Sequence, residues 1–88
     1  MIEKVLDAIE SYLLDTYVED ENYPFYLELE KELLFDNYDE MDKENKEVTR
    51  ILNEEIPELC AAVEEIGIDE FKTLLKVEYL KAKEVYNR

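Results

Sequence analysis

The sequence has no histidine and no tryptophan, and it has one cysteine, one glycine and two prolines among 88 residues. Without histidine there is no imidazole general base, no cysteine–histidine pair and no histidine metal ligand. The only serine, Ser11, stands in a predicted helix without the strained turn that exposes a hydrolase nucleophile. Cys60 has no second cysteine to pair with, and an unpaired thiol in an apolar run favours a reducing compartment. We therefore expect a cytoplasmic protein that is not an enzyme.

Long apolar runs are also missing. Residues 1–4 lack the basic start that precedes the apolar core of a secretory signal, and no apolar stretch approaches the length of a membrane span. The formal net charge of −15 would make anionic lipid surfaces and phosphate backbones repel the chain. These features predict neither a membrane nor a nucleic acid as a direct partner. They indicate a basic protein, because opposite potentials speed encounter and penalise wrong partners.

Apolar spacings of three and four residues recur along the chain and predict an all-α fold, a compact single-domain bundle of four to five short helices. One domain is also what 88 residues allow. The alternation at 26–30 resembles a strand, but no second strand exists to pair with it. The predicted helices span residues 2–18, 24–35, 43–55, 57–66 and 70–86, with loops at 19–22 and 36–42.

Several residues predict where these helices begin and end. Asn22 or Tyr23 should cap the second helix, and Pro57 should lie in the first turn of the fourth. Gly67 should adopt the left-handed αL conformation that ends a helix, with an apolar contact from Ile68. Asp69 should cap the last helix.

The predicted core comes from the apolar stripes of these helices, and Cys60 should act there as a small buried hydrophobe. Three tyrosines on the stripes, Tyr12, Tyr26 and Tyr79, should lie in the core or at its rim. The other inward-facing residues are expected to be Ile2, Val5, Leu6, Ile9, Leu13, Tyr17, Phe25, Leu29, Leu33, Leu34, Phe35, Val48, Ile51, Leu52, Ile56, Leu59, Val63, Ile66, Phe71, Leu74, Leu75, Ala82 and Val85.

The acidic middle, residues 19–47, holds 12 of the 25 acids and only three lysines, whereas residues 71–88 carry a net charge of +3. Two of its tyrosines stand beside several acids at predicted junctions. Rigid amphipathic aromatics with an ionic rim are typical of protein interfaces. The alternative is that both rings fold back onto the small core. The candidate partner-binding residues are Glu19, Asp20, Glu21, Tyr23, Asp36, Tyr38, Asp39, Glu40 and Asp42.

Paired carboxylates can serve catalysis or calcium binding, but the pattern here supports neither. Counted from Asp36, a calcium-binding EF-hand loop needs an oxygen ligand where Tyr38 stands and a glycine where Met41 stands. A pocket for catalysis would also compete with the one small core that the chain can build. We expect no metal and no cofactor, and interpret the acids as solvated or partner-binding.

The segments Asn53-Glu54-Glu55-Ile56-Pro57-Glu58-Leu59 and Asp69-Glu70-Phe71-Lys72, through Lys76-Val77-Glu78-Tyr79, carry a family resemblance. In a small, acidic, helical chain they resemble the immunity proteins of bacterial contact-dependent and polymorphic toxin systems. The resemblance covers mainly the C-terminal third and gives no binding residue at a named position. It implies neutralisation of one cognate toxin, a nuclease, whose basic substrate site an acidic face would cover.

Two other functions fit the same charge. A DNA mimic, such as a phage-encoded or anti-CRISPR inhibitor of a nucleic-acid-binding protein, needs carboxylates in rows spaced like phosphates. An adaptor module would use its acidity only to stay in solution. We expect a monomer in each case.

Overall fold

The N-terminal apolar stripe forms the first of six helical segments in a computed structural model that describes all 88 residues. There is no strand, and one isolated bridge joins Asp20 to Tyr23. The all-α prediction is therefore confirmed. The segments are α1, Ile2–Leu13; α2, α-helical over Phe25–Glu28 and π-helical over Leu29–Phe35; α3, Tyr38–Glu44; α4, Lys46–Glu54; α5, Ile56–Ile66; and α6, Ile68–Tyr86.

The long helix α6 is the support on which the bundle is built, and it packs against α1, α4 and α5. Helix α2 packs on α5, and α3 packs on α4. The whole bundle measures 32 × 23 × 22 Å. One cluster of 19 buried residues fills the interior. Its members are Ile2, Val5, Leu6, Ile9, Tyr12, Phe25, Leu29, Leu33, Leu34, Met41, Val48, Leu52, Ile56, Cys60, Val63, Phe71, Leu75, Tyr79 and Ala82.

Helix α1 ends at Leu13, five residues before the predicted end at Val18. The chain leaves the helix at Asp15, whose φ of 60° is left-handed. The N–H of Asp15 donates to the Tyr12 carbonyl, and that of Thr16 donates to the Ser11 carbonyl. This pair of bonds is a Schellman motif, which usually has glycine where Asp15 stands. Aspartate tolerates the conformation better than most residues, so no glycine marked this end in the sequence.

Helix α2 begins one residue later than predicted, and its cap comes from an unexpected position. Pro24 is the N-cap with extended backbone, in place of Asn22 or Tyr23. The Phe25 N–H donates to the Glu19 carboxylate at 2.8 Å, so a side chain six residues earlier satisfies the first turn. The Phe25 ring then stacks on the Tyr12 ring with centroids 4.3 Å apart. These contacts fix the loop before α2 onto the core.

The π-helical half of α2 changes which residues face the core. A π-helix bonds residue i to i+5, as in the 3.1 Å bond from the Asp36 N–H to the Lys31 carbonyl. This wider turn lets Leu29, Leu33 and Leu34 share the buried face. Phe35 is rotated outward and is 79% exposed. Its assignment to the core was wrong, because that prediction assumed 3.6 residues per turn.

The predicted loop at 36–42 is wrong, since residues from Tyr38 form α3. The predicted third helix, 43–55, is instead divided at Asn45, whose φ of −161° and ψ of 104° are extended. The Asn45 Oδ1 accepts the Val48 N–H at 3.1 Å and caps α4. In α3, Met41 is completely buried. The burial of Met41 holds α3 against the core, and the Asn45 cap starts α4, so two helices stand where the sequence predicted a loop and one helix.

Helices α5 and α6 meet at Gly67. Pro57 lies in the first turn of α5, as predicted. Gly67 has a φ of 85° and a ψ of 161°, which is an extended glycine conformation and not the predicted αL. Ile68 is 42% exposed and Asp69 lies inside the first turn of α6, so the predicted apolar contact and the predicted cap are both wrong. The positive φ at Gly67 lets α6 start directly after α5.

Candidate functional site

The nine candidate residues are divided between the two ends of α2. Glu19, Asp20, Glu21 and Tyr23 lie in the loop before it. Asp36 follows it directly, and the others lie on α3: Tyr38, Asp39, Glu40 and Asp42. The acidic middle is therefore a helix with an acidic segment at each end, and not one loop.

Three of the candidate acids make local contacts that fix the backbone or neutralise the charge. Glu19 accepts the Phe25 N–H, and the Asp20 Oδ1 accepts the Asn22 N–H at 2.8 Å. Asp42 pairs with Lys46 at 3.1 Å, one helical turn away. Their charges are at least partly used within the molecule, whereas Glu21, Asp39 and Glu40 are exposed and have no cationic partner.

The two candidate tyrosines behave differently. Tyr23 is half-buried, and desolvation followed by the Glu32 and Glu28 carboxylates raises its pKa. Tyr38 on α3 is 44% exposed. The fold-back alternative therefore describes Tyr23 in part, and the Tyr38 ring remains available to a partner.

Phe35 completes this surface and was missed by the sequence analysis. It stands three residues before Tyr38, is among the most exposed large apolar side chains, and is followed directly by Asp36. We define the acidic aromatic edge as Phe35, Asp36, Tyr38, Asp39 and Glu40. Leu33, Leu34 and Phe35 are all apolar, so the pattern alone does not show that the Phe35 side chain faces solvent. That orientation could have been predicted only by recognising the π-helix.

A groove of about 590 Å³ adjoins this edge through Asp36. We define the acidic groove by its lining residues, which come from α1, the loop after it, α2 and the turn that follows: Lys4, Ala8, Tyr17, Glu28, Glu32, Leu33, Asp36 and Asn37. Its three acids stand four residues apart along α2. No lysine or arginine nitrogen lies within 4.0 Å of any of the three carboxylates. With three carboxylates and one lysine in its lining, the groove carries a net negative charge.

Two hydrogen-bonded side chains hold the acidic groove in shape. The Tyr17 hydroxyl donates to the Glu28 carboxylate, and desolvation together with that carboxylate raises the pKa of Tyr17 to about 12. At the far end, the Asn37 amide donates to the Glu32 carbonyl at 2.9 Å and to the Leu33 carbonyl at 3.2 Å. Sequence analysis had assigned Tyr17 to the core stripe. It is half-buried and packs against the core, with its ring centroid 4.8 Å from that of Phe25, and it also lines the groove.

The basic residues of α6 are mostly paired within the molecule. Lys72 contacts Asp15 at 2.7 Å, Lys83 contacts Glu10 at 3.1 Å, and Lys81 contacts Glu78 at 3.1 Å. Two of these pairs join α6 to the α1 region, so the reversal of charge in α6 serves the packing of the bundle. The acids of α2 and α3 have far fewer such partners.

The unpaired carboxylates of this arrangement can form ion pairs with lysine or arginine side chains. No three aspartate, glutamate or cysteine side chains lie close enough together to hold a metal ion. Cys60 is 3% exposed, as predicted, and burial raises its pKa to about 12, so the thiolate is disfavoured at neutral pH. The surface thus presents two exposed aromatic rings, Phe35 and Tyr38, near unpaired carboxylates and beside the acidic groove.

The comparisons with known proteins add no relative. No protein-family model matches the chain, and neither a curated protein nor a solved structure matches it. Among the six segments, none combines the length and the apolar character needed to cross a bilayer.

Proposed function

We propose that this protein is a stoichiometric inhibitor of the immunity or antitoxin type, which neutralises a basic toxin nuclease by covering its substrate site. The observation that carries the proposal is the acidic aromatic edge, where Phe35 at 79% and Tyr38 at 44% exposure stand among acids without cationic partners. Aromatic anchors supply most of the binding energy at interfaces, and surrounding charges set partner choice and association rate.

The chemistry of a nuclease explains why such a surface would fit. An enzyme that acts on RNA or DNA presents lysine and arginine to phosphates, and these side chains match the carboxylates of the acidic groove and the edge. The inhibitor acts by binding alone, as a monomer in the cytoplasm, and uses no cofactor or metal. The net charge of −15 would accelerate encounter with a basic partner.

The experiment starts from the gene immediately upstream, whose product is the expected toxin. That product is purified, its nuclease activity is measured on plasmid DNA and on RNA, and the protein is titrated into the reaction. A one-to-one loss of activity, with binding that weakens as salt rises, supports the proposal. An upstream product without nuclease activity, or one whose activity is unchanged by a molar excess, contradicts it.

The acidic groove favours a second candidate function, the DNA mimic. Glu28 and Glu32 of α2 and Asp36 directly after it line one groove at four-residue intervals, which is a short row of carboxylates. A mimic would bind several DNA-binding proteins and be displaced by duplex DNA, whereas an immunity protein would bind one cognate toxin. An adaptor module would show neither a basic partner at low salt nor competition with DNA.

A further inference from the structure

A second groove shares no residue with the acidic aromatic edge or the acidic groove. It has a volume of about 280 Å³ and runs between the end of α1 and the middle of α6. Its lining residues are Leu13, Leu14, Lys72, Thr73, Lys76 and Tyr79. We call it the α1–α6 groove. Its volume is close to the lower end of the range for small-molecule sites.

The walls of the α1–α6 groove are apolar where the two helices approach each other. Leu14 is 65% exposed although it follows a helix whose other leucines are buried or half-buried. The Tyr79 ring is held in place, because its hydroxyl donates to the Glu10 carboxylate and receives a hydrogen bond from Lys83 at 3.1 Å. The fixed and almost wholly buried Tyr79 side chain and the exposed Leu14 both line the groove, so its apolar surface is partly preformed.

Of the two lysines in the groove, one forms an ion pair and the other does not. Lys72 donates to Asp15 at 2.7 Å and lies over the Tyr12 ring, so its charge is compensated. Lys76 is exposed and has no carboxylate within 4.0 Å, although the chain contains 25 acids. The groove therefore combines an apolar wall with one free positive charge. That is the complement of an anion carrying an apolar chain.

We propose that the α1–α6 groove binds a small amphiphilic carboxylate, a free medium-chain fatty acid, with its chain against Leu13, Leu14 and Tyr79 and its carboxylate at Lys76. The complementary charge argues for an anion, and the groove, lined by six residues, is too short for a protein segment that would need a standard interface. This site is independent of the proposed inhibitor function, since it shares no residue with the acidic aromatic edge or the acidic groove.

The test is a titration of the full-length protein with octanoate, followed through the amide signals in nitrogen-15 NMR spectra. Saturable shifts confined to Leu13, Leu14, Thr73, Lys76 and their neighbours are expected. Octylammonium has the same chain with the opposite charge, and it should not shift these signals. Absence of saturable shifts in the groove, or equal binding of octylammonium there, overturns the proposal.

Matched variants separate this site from general surface binding. Lys76→Gln should weaken octanoate binding about fivefold, the upper range for one exposed charge pair. Lys43→Gln removes an exposed lysine on α3 that also lacks an ion pair, and it should leave binding unchanged. Leu14→Ser should weaken binding, while Val18→Ser, at a side chain that is 91% exposed outside the groove, should not. Equal affinity of the Lys76 variant and its Lys43 control, in proteins with native amide spectra, contradicts the assigned carboxylate position.

Discussion

At the residue scale, Leu34 and Phe35 are neighbours in the sequence, yet their side chains are 1% and 79% exposed. Burying a phenylalanine would contribute about 1.5–3 kcal/mol, and the chain forgoes most of that stabilisation at Phe35. An apolar side chain that stays in water contributes little to folding, and at Phe35 it is free to contact a partner under the proposed function. Burial of individual residues, and not their hydrophobicity alone, therefore separates the core from the candidate interface.

The difference between buried and exposed side chains gives a stability prediction for Leu52 and Leu74, both of which the sequence predicts to lie in the core. Leu52 is completely buried in α4, whereas Leu74 on α6 is only half-buried. Leu52→Ala should cost about 2–5 kcal/mol in the free energy of unfolding. Leu74→Ala should cost clearly less, and Leu80→Ala, at a side chain 53% exposed, should lie within about 0.5 kcal/mol of the wild type. Denaturant unfolding followed by circular dichroism measures all three. An equal cost at Leu52 and Leu80 would contradict the described core.

The contact of Glu10 with Tyr79 and Lys83 gives a pH prediction. Hydrogen bonds from Tyr79 and Lys83, and the charge of Lys83, lower the pKa of Glu10 from its ordinary value of 4.5. A carboxyl whose pKa is lowered by folding stabilises the protein above its ordinary pKa and loses that contribution as pH falls through the lowered value. The wild type should therefore be more stable than Glu10→Gln at pH 7, and the difference should shrink as the pH falls below 4.5 and through the lowered pKa.

Glu64→Gln is the control for Glu10→Gln, because Glu64 is exposed and has no ion pair. Each variant removes one negative charge from a chain that carries an excess of them. The Glu64 variant should match or exceed the wild type in thermal midpoint at pH 7, while the Glu10 variant falls below it. A Glu10 variant as stable as the Glu64 variant at pH 7 would show that the contact contributes nothing.

At the element scale, Asn45 divides one predicted helix into α3 and α4. Its side chain accepts the Val48 N–H, and its carbonyl accepts the Thr49 hydroxyl at 2.8 Å. Thr49 is completely buried, so the cap and a buried polar group are satisfied at one point. Helix boundaries in this chain depend on such single contacts.

Replacing Asn45 tests that division. Asn45→Ala should lower the free energy of unfolding by about 1 kcal/mol, since it removes a side-chain cap, and Asn45→Asp should retain most of the stability. Asn87→Ala, at the exposed C-terminal end of α6, is the control and should have no comparable effect. Equal stability of the Asn45 and Asn87 alanine variants would indicate that α3 and α4 do not depend on this cap.

Most of the fold could be predicted because apolar periodicity is a strong local signal. The stripe Ile2, Val5, Leu6, Ile9 and Tyr12 is buried as its spacing requires. The errors arose where a tertiary contact or an unusual backbone conformation determines a helix end or a helical period. The spacing of apolar residues does not show either. Aspartate took a glycine position at the end of α1, a π-helical turn changed the period of α2, and Glu19 supplied a cap from six residues away.

The candidate site was predictable as a charged region but not as a surface. The density of acids correctly located the acidic segments on both sides of α2. Tyr38 is exposed, as the interface alternative required and the fold-back alternative did not. Glu19, Asp20 and Asp42 have local partners. Glu28 and Glu32 were not selected because the groove forms only when α1, the loop after it, α2 and the turn that follows come together. Which acids remain unpaired is a property of the tertiary structure.

At the scale of the whole molecule, the uneven distribution of charge is the dominant feature. Three of the four lysines of α6 pair with acids of the α1 region or of α6 itself, while much of the net charge of −15 stays uncompensated. Such self-repulsion opposes the compact state and also attracts a basic partner. Under the proposed function, the same charge that lowers the stability of the free protein would attract a basic partner.

Self-repulsion predicts that salt stabilises the free protein. The Debye length falls from about 30 Å at 0.01 M to about 8 Å at 0.15 M ionic strength, so repulsion among exposed acids is screened. The thermal midpoint at neutral pH should rise with sodium chloride over this range. A midpoint that falls would mean that surface ion pairs such as Arg50–Glu54 contribute more than the repulsion does.

The central claim is that the acidic aromatic edge binds a basic protein, and one affinity measurement tests it most directly. The wild type, the double variant Phe35→Ser/Tyr38→Ser and the control Val18→Ser are immobilised and exposed to a lysate of the source organism at about 50 mM salt, well below physiological ionic strength. Retained proteins are quantified by mass spectrometry, and circular dichroism checks that all three are folded. The account predicts one basic protein retained by the wild type and the control, and reduced at least about tenfold on the double variant. Retention of no basic protein, or equal retention by the folded double variant, would contradict it.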